Sequence, residues 1–189
     1  MSATILYIHG FASCGAGNKV ETLTRHFGAG QVLSPDLLID PQVALLQLQA
    51  LINTHEVALL VGSSLGGFYA DRLNADNRIP SVLINPSTRP FDTLGKYVGK
   101  NTNWCSGETF EWKAEYSEIL RSMYRDVPAP DENYLVLLQS ADEVLDYRLA
   151  EARYRHHQVT VEQGGNHRFE NFADYLPVIE KFTNGALKK

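Results

Sequence analysis

A chain of 189 residues, 44% hydrophobic and 21% charged, can bury a substantial core but is short for two independent folding units, so a single domain over 1–189 is expected. Its formal net charge of -5 gives no global basic field for a phosphate backbone, which argues against nucleic acid as a partner. No apolar run approaches bilayer-spanning length, and Met1 to Phe11 lacks a basic leader or small-residue cleavage pattern, so a soluble, cytoplasmic protein without membrane insertion is expected.

Thr4 to Ile8 is a β-rich apolar run ending in His9-Gly10, and a Gly/Ser/Cys-rich loop from Ala12 to Gly17 feeds a helix over Lys19 to Phe27. Gln31 to Ser34 is a short strand stopped by Pro35, and Pro41 opens an apolar-periodic helix to about Asn53. Val57 to Val61 is continuously apolar, as in a strand buried on both faces, and a helix from Leu65 to Asn74 follows its glycines. Ser81 to Ile84, Tyr134 to Leu138 and Gln158 to Glu162 complete the strands. Asp146 is placed to cap a helix from Tyr147 to Tyr154, Phe172 to Thr183 closes the chain, and Gly185 to Lys189 reads as a frayed tail. About six strands alternating with helices imply a mostly parallel sheet with helices on both faces.

Ser87 to Asp131 breaks this rhythm. The stretch is too long for an ordinary connection and carries Phe91, Tyr97, Trp104, Phe110, Trp112, Tyr116 and Tyr124, so a small helical cap over 87–131 is expected. Cys14 and Cys105 are too few for a disulfide scaffold and too far apart for a zinc motif, and read as two free thiols.

Gly62-Ser63-Ser64-Leu65-Gly66 fits G-x-S-x-G, in which a strained strand-to-helix turn lifts a serine nucleophile out of the sheet. Centring the motif on Ser63 would put Val61 and Leu65 where a side chain crowds the turn, so Ser64 is the better nucleophile. A serine hydroxyl needs a base within hydrogen-bond reach, and His167 follows the last strand after Gly164-Gly165-Asn166. His26, His55, His156 and His157 fall in or beside helices or a strand entry and read as surface residues.

The orienting acid belongs on the loop after the penultimate strand, where Asp142 stands; Asp146 competes, but helix capping explains it better. An oxyanion hole would take the amides of Leu65, after the nucleophile, and Phe11, in the loop after the first strand. His9, beside Gly10 in a His-Gly motif, reads as shaping that loop by hydrogen bonding. The order Ser64, Asp142, His167 calls for no metal or cofactor. The rival reading is a non-catalytic acyl- or partner-binding protein on the same scaffold; a perhydrolase or a carbon–carbon hydrolase is a nearer one.

With these motifs in view the sequence resembles the small bacterial YqiA/YcfP-like esterases, an uncharacterised-protein family within the α/β-hydrolases. The resemblance is carried by Leu6-Tyr7-Ile8-His9-Gly10-Phe11, the segment Val61 to Ala70, Asn85-Pro86 with Arg89-Pro90-Phe91, Asp142 to Arg148, and Gly164-Gly165-Asn166-His167. It implies an α/β-hydrolase fold and hydrolysis of carboxylic esters or acyl thioesters through an acyl-enzyme on Ser64, with a small-molecule ester as partner.

Overall fold

The computed structural model describes residues 4–186. The expectations that fall on Met1 to Ala3 and Leu187 to Lys189 lie outside the described residues. Strands β1 (Thr4–Ile8), β2 (Val32–Leu33), β3 (Val57–Ser63), β4 (Ser81–Ile84), β7 (Tyr134–Gln139) and β8 (Gln158–Glu162) form one sheet in the order β2-β1-β3-β4-β7-β8. Every pairing in it is parallel. The connecting helices are α1 (Asn18–Phe27), α2 (Pro41–Thr54), α3 (Leu65–Asn77), α6 (Tyr147–Arg153) and α7 (Leu176–Ala186).

Alternation along the strands sorts side chains to two faces. Leu6, Ile8, Leu60, Leu83, Val136 and Leu138 pack on one side against α2 and α3, through residues such as Leu48, Phe68 and Leu73. Ile5, Tyr7, Leu59, Val61, Val82 and Leu135 face the other side, against Leu23 of α1 and Ile179 and Phe182 of α7. Both faces are covered, which is why the strands read as unbroken apolar runs.

Local chemistry sets the helix starts. Asp40 accepts from the amides of Gln42 and Val43 ahead of α2, with Pro41 in the first turn where no amide donor is needed. Asp146 accepts from the Arg148 amide and caps α6. α7 continues through Ala186, so Gly185 is helical and not part of a frayed end.

The insertion differs from the all-helical cap expected. It holds α4 (Pro90–Thr93), an antiparallel hairpin of β5 (Gly99–Thr102) and β6 (Thr109–Trp112), and α5 (Glu115–Met123). The hairpin was hidden because its strands are short and largely polar; the turn between them includes Gly107 at a left-handed φ of 75°. Phe91, Trp112 and Tyr116 are buried on the α3 side of the sheet with Phe110 and Tyr124 partly buried against them, whereas Trp104 at the hairpin tip is 86% exposed.

The cysteines also correct the sequence reading. Cys14 and Cys105 form a disulfide, with their Cα atoms 5.8 Å apart, joining the loop after β1 to the hairpin tip. Proximity is imposed by tertiary contacts invisible in the spacing: the Trp104 amide donates to Ala12 O (2.8 Å) and Asn103 Nδ2 donates to Ser13 O (2.9 Å).

A buried ionic cluster fastens the far end of the insertion. Arg125 reaches Asp71 of α3 (2.9 Å) and Glu132 (2.5 Å), while Arg153 of α6 reaches the other oxygen of Asp71 (2.8 Å).

Candidate active site

In an open parallel sheet the crevice for a ligand lies beyond the carboxyl ends of the strands, where the strand order reverses. Here that point is between β1 and β3, and it brings the His9-Gly10-Phe11 loop against Ser64. A Cβ built on Gly10 would stand 3.2 Å from Ser64 Cβ and 3.7 Å from its Oγ, so glycine lets the loop backbone lie close to the hydroxyl without crowding it.

Ser64 occupies the turn from β3 into α3 with φ 54° and ψ -120°, a conformation uncommon outside glycine. The turn requires close approach on all sides. A Cβ on Gly62 would fall 2.3 Å from Gly66 O, and one on Gly66 would fall 2.0 Å from Ile8 O. Serine at a helix N-cap ordinarily bonds an amide of the first turn, yet Ser64 makes no such bond. Its Oγ is instead 3.1 Å from His167 Nε2. Ser63 is buried at the end of β3 beside the hydroxyl of Tyr7, which burial pushes up to about 12.

His167 Nδ1 lies 2.8 Å from Asp142 Oδ2. The remaining oxygen of Asp142 accepts from the amides of Val144 and Leu145, both at 2.8 Å, so the carboxylate is fixed in a loop turn and its side chain is nearly inaccessible. Asp142 O accepts, His167 Nδ1–H donates, and Nε2 is left as the acceptor facing the Ser64 hydroxyl. Asp146 points elsewhere, pairing with Arg148.

The histidine loop is held by its backbone. The His167 amide donates to Glu143 Oε2 (2.9 Å), a contact that holds the Glu143 carboxyl below its ordinary range. The Asn166 amide donates to Gln139 Oε1 (2.9 Å), and Asn85 Nδ2 donates to the carbonyls of Asn166 (3.1 Å) and His167 (3.3 Å). Lys19 Nζ donates to the carbonyl of Arg168; burial, and then the neighbouring Arg168 charge, bring this lysine down to about 8. Asn85 and Glu143 entered the sequence reading only within stretches that carry the family resemblance and Gln139 only just past a strand end, because a carboxamide or carboxylate that grips a distant backbone leaves no spacing signal for that role.

Leu65 opens α3, so its amide has no carbonyl one turn back in the helix and lies at the positive end of the helix dipole. Phe11 lies across the crevice from it, in edge-on contact with Phe110 and Trp112 of the hairpin. His9 accepts the Leu37 amide at Nε2 (3.0 Å), which makes Nδ1 the protonated nitrogen donating to Gly10 O (2.8 Å). It is thus a neutral, buried strut of the loop.

Of the other histidines, His26, His55 and His156 are exposed as expected, but His157 is half-buried against the Tyr134 ring. A narrow cavity of about 30 Å³ beside the Phe11 loop is lined by Phe11, Leu37, Leu65, Tyr69, Phe110 and Trp112. A larger open cleft lies behind the acid, between Ser140 and Arg148, and includes neither Ser64 nor His167. No cluster of three metal-ligating side chains occurs among the described residues.

A family model described as an uncharacterised protein family, UPF0227, matches residues 4–184. The chain belongs to UPF0227. A UPF0227 protein from Shewanella sp. (strain MR-4) is 27% identical over 96% of this chain and 99% of its own, and YcfP from Salmonella paratyphi A is 26% identical over 94% and 97%. Among solved structures, the fold is shared with Est1E from Butyrivibrio proteoclasticus bound to ferulic acid (TM-score 0.72, 14% identity, 98% of this chain and 88% of that one). It is shared also with a monoacylglycerol lipase from Paleococcus ferrophilus (TM-score 0.68, 14% identity, 96% of each chain). This UPF0227 chain therefore has the α/β-hydrolase fold.

Proposed function

We propose that this UPF0227 protein is a serine hydrolase of small carboxylic esters, working through an acyl-enzyme on Ser64. The observation that carries the reading is the unbroken line from Ser64 Oγ through His167 to Asp142, at 3.1 Å and 2.8 Å, on the rim of the sheet where a substrate has access.

His167 Nε2 takes the Ser64 proton as Oγ attacks the acyl carbon, and Asp142 holds the imidazole tautomer and stabilises the imidazolium. The Leu65 and Phe11 amides face the developing oxyanion; a donor of this kind is worth about 10²–10³ in rate. Collapse breaks the bond to the leaving alcohol, which receives its proton from His167. Water, activated by the same nitrogen, then attacks the acyl-enzyme and returns Ser64 with release of the acid.

Two features narrow the substrate. The cavity beside the oxyanion loop is lined by Phe11, Leu37, Leu65, Phe110 and Trp112, apolar side chains that suit the acyl part of an ester. The basic residues of the insertion are largely engaged: Arg89 and Arg121 pair with Asp92, and Arg125 is buried with Asp71 and Glu132. Each of these cations is thus already matched by a carboxylate, which favours a plain ester over a coenzyme A thioester with its phosphates.

Labelling with a fluorophosphonate probe beside hydrolysis of p-nitrophenyl acetate and octanoate tests this. Both labelling and turnover should vanish in Ser64→Ala and survive in Ser63→Ala, and the ratio of the two ester rates reports the acyl length accepted. A native protein that neither labels nor turns over would instead favour the ligand-binding reading.

A further inference from the structure

The base must reach far. His167 leaves the sheet after β8, and the order β3-β4-β7-β8 puts two strands between it and Ser64, a gap of the order of 10–15 Å at ordinary strand spacing. A glycine-rich loop crossing that distance has many conformations, and only a few put Nε2 against Oγ. Something must set the span.

We propose that Asn85 is the positioning residue of this site, fixing the distance between nucleophile and base. The inference rests on the hydrolase reading above and adds a part to it. Asn85 follows β4, midway along the span. It is 3% exposed and sits at a left-handed φ of 39°, which asparagine tolerates better than most residues.

Its carboxamide is used at both ends. Oδ1 accepts the Gln139 amide at the end of β7 (2.9 Å), and Nδ2 donates to the two consecutive carbonyls of Asn166 and His167. The same turn grips the nucleophile by its backbone: the Ser64 amide donates to Ile84 O (3.1 Å) and the Ser87 amide donates to Ser64 O (3.0 Å). Pro86 closes the contact, since a Cβ on Gly67 would stand 2.6 Å from its ring. Residues 84–87 therefore hold Ser64 by main chain on one side and His167 by the Asn85 side chain on the other. The Glu143 and Gln139 bonds to the loop fix its lateral position; the Asn85 bonds fix its reach.

Two variants separate this role from bulk stability. Asn85→Asp keeps the shape and the acceptor for Gln139 but sets a carboxylate oxygen against two carbonyls; Asn85→Gly removes the side chain and allows the left-handed backbone. Asn74→Asp is the control. It is equally buried, at the opposite end of β4, where Nδ2 donates to Ser81 Oγ and Asn133 O. Measurements are kcat and KM on p-nitrophenyl acetate, the rate of fluorophosphonate labelling, and Tm.

Both Asn85 variants should lose about 10–100-fold in kcat and in labelling rate, with KM within about threefold, as a misplaced general base predicts. Asn74→Asp should lower Tm while leaving kcat within about twofold. Native-like kcat in either folded Asn85 variant, or an equal loss of kcat in Asn74→Asp, overturns the inference and leaves the hydrolase reading standing. Absence of labelling in the native protein removes that reading, and the inference with it.

Discussion

His9 shows how a residue next to the chemistry can be structural and still make the site sensitive to acid. Burial pushes its imidazole below the ordinary value, against the opposing pull of its Gly10 contact and of Asp36. Between that lowered value and about 6.5 the unfolded chain binds a proton that the folded one does not. Its contribution is therefore fully present above about pH 6.5 and is lost as pH falls toward the folded value. His157 is lowered by burial too and adds to the same slope. Tm measured from pH 8 to 5 should fall on the acid side, and His9→Gln should flatten that fall in part. An unchanged slope would mean that the loop tolerates the protonated ring.

Ser64, His167 and Asp142, which the fold brings into one hydrogen-bonded line, could be singled out as candidates from the letters because each sits in a fixed relation to a strand end, and strand ends are visible in apolar runs. The roles of Asn85 and Gln139 could not, since these partners lie 27 to 82 residues away along the chain and only the folded sheet makes them neighbours.

At the scale of elements, the ionic cluster around Asp71 clamps three pieces together: α3, the end of the insertion, and α6. Burial pushes the Glu132 carboxyl up, but hydrogen bonding to Arg125 and its charge outweigh that and leave it below the ordinary range. Asp71 pairs with two guanidinium groups, of which Arg153 is nearly buried, and Glu132 supplies the second negative charge. Removing one partner of such a cluster leaves charge stranded away from water, at about 3–5 kcal/mol. Asp71→Asn should destabilise the fold by that order in urea titration while leaving KM unchanged, because the cluster lies away from Ser64. The central helices and strands were readable from sequence, with ends shifted by a few residues. The hairpin was not, because β5 is short and polar and β6 turns only Phe110 and Trp112 toward the core, too few alternations to mark a strand.

Across the whole molecule, two apolar layers enclose the sheet, and the disulfide adds one covalent constraint over 91 residues of chain. Closing a loop of this size in the unfolded ensemble is typically worth about 2–4 kcal/mol. Reduction with dithiothreitol, or Cys14→Ser, should therefore lower Tm; an unchanged Tm on verified reduction would show that the hydrogen bonds at Ala12 and Ser13 suffice to seat the hairpin. Nothing in the cysteine count alone could separate this pairing from two free thiols, since what joins them is the return of the insertion over β1.

The two members of the pair that would exchange a proton are 103 residues apart, nucleophile first. On a ribosome adding about 5–20 residues per second, Ser64 would emerge roughly 5–20 s before the imidazole that activates it. The β8 platform from which His167 departs is also the sheet's last strand to be made. On the proposed mechanism a growing chain would display its serine without a base and gain reactivity only when the edge strand docks, so synthesis order would keep unfinished molecules inert.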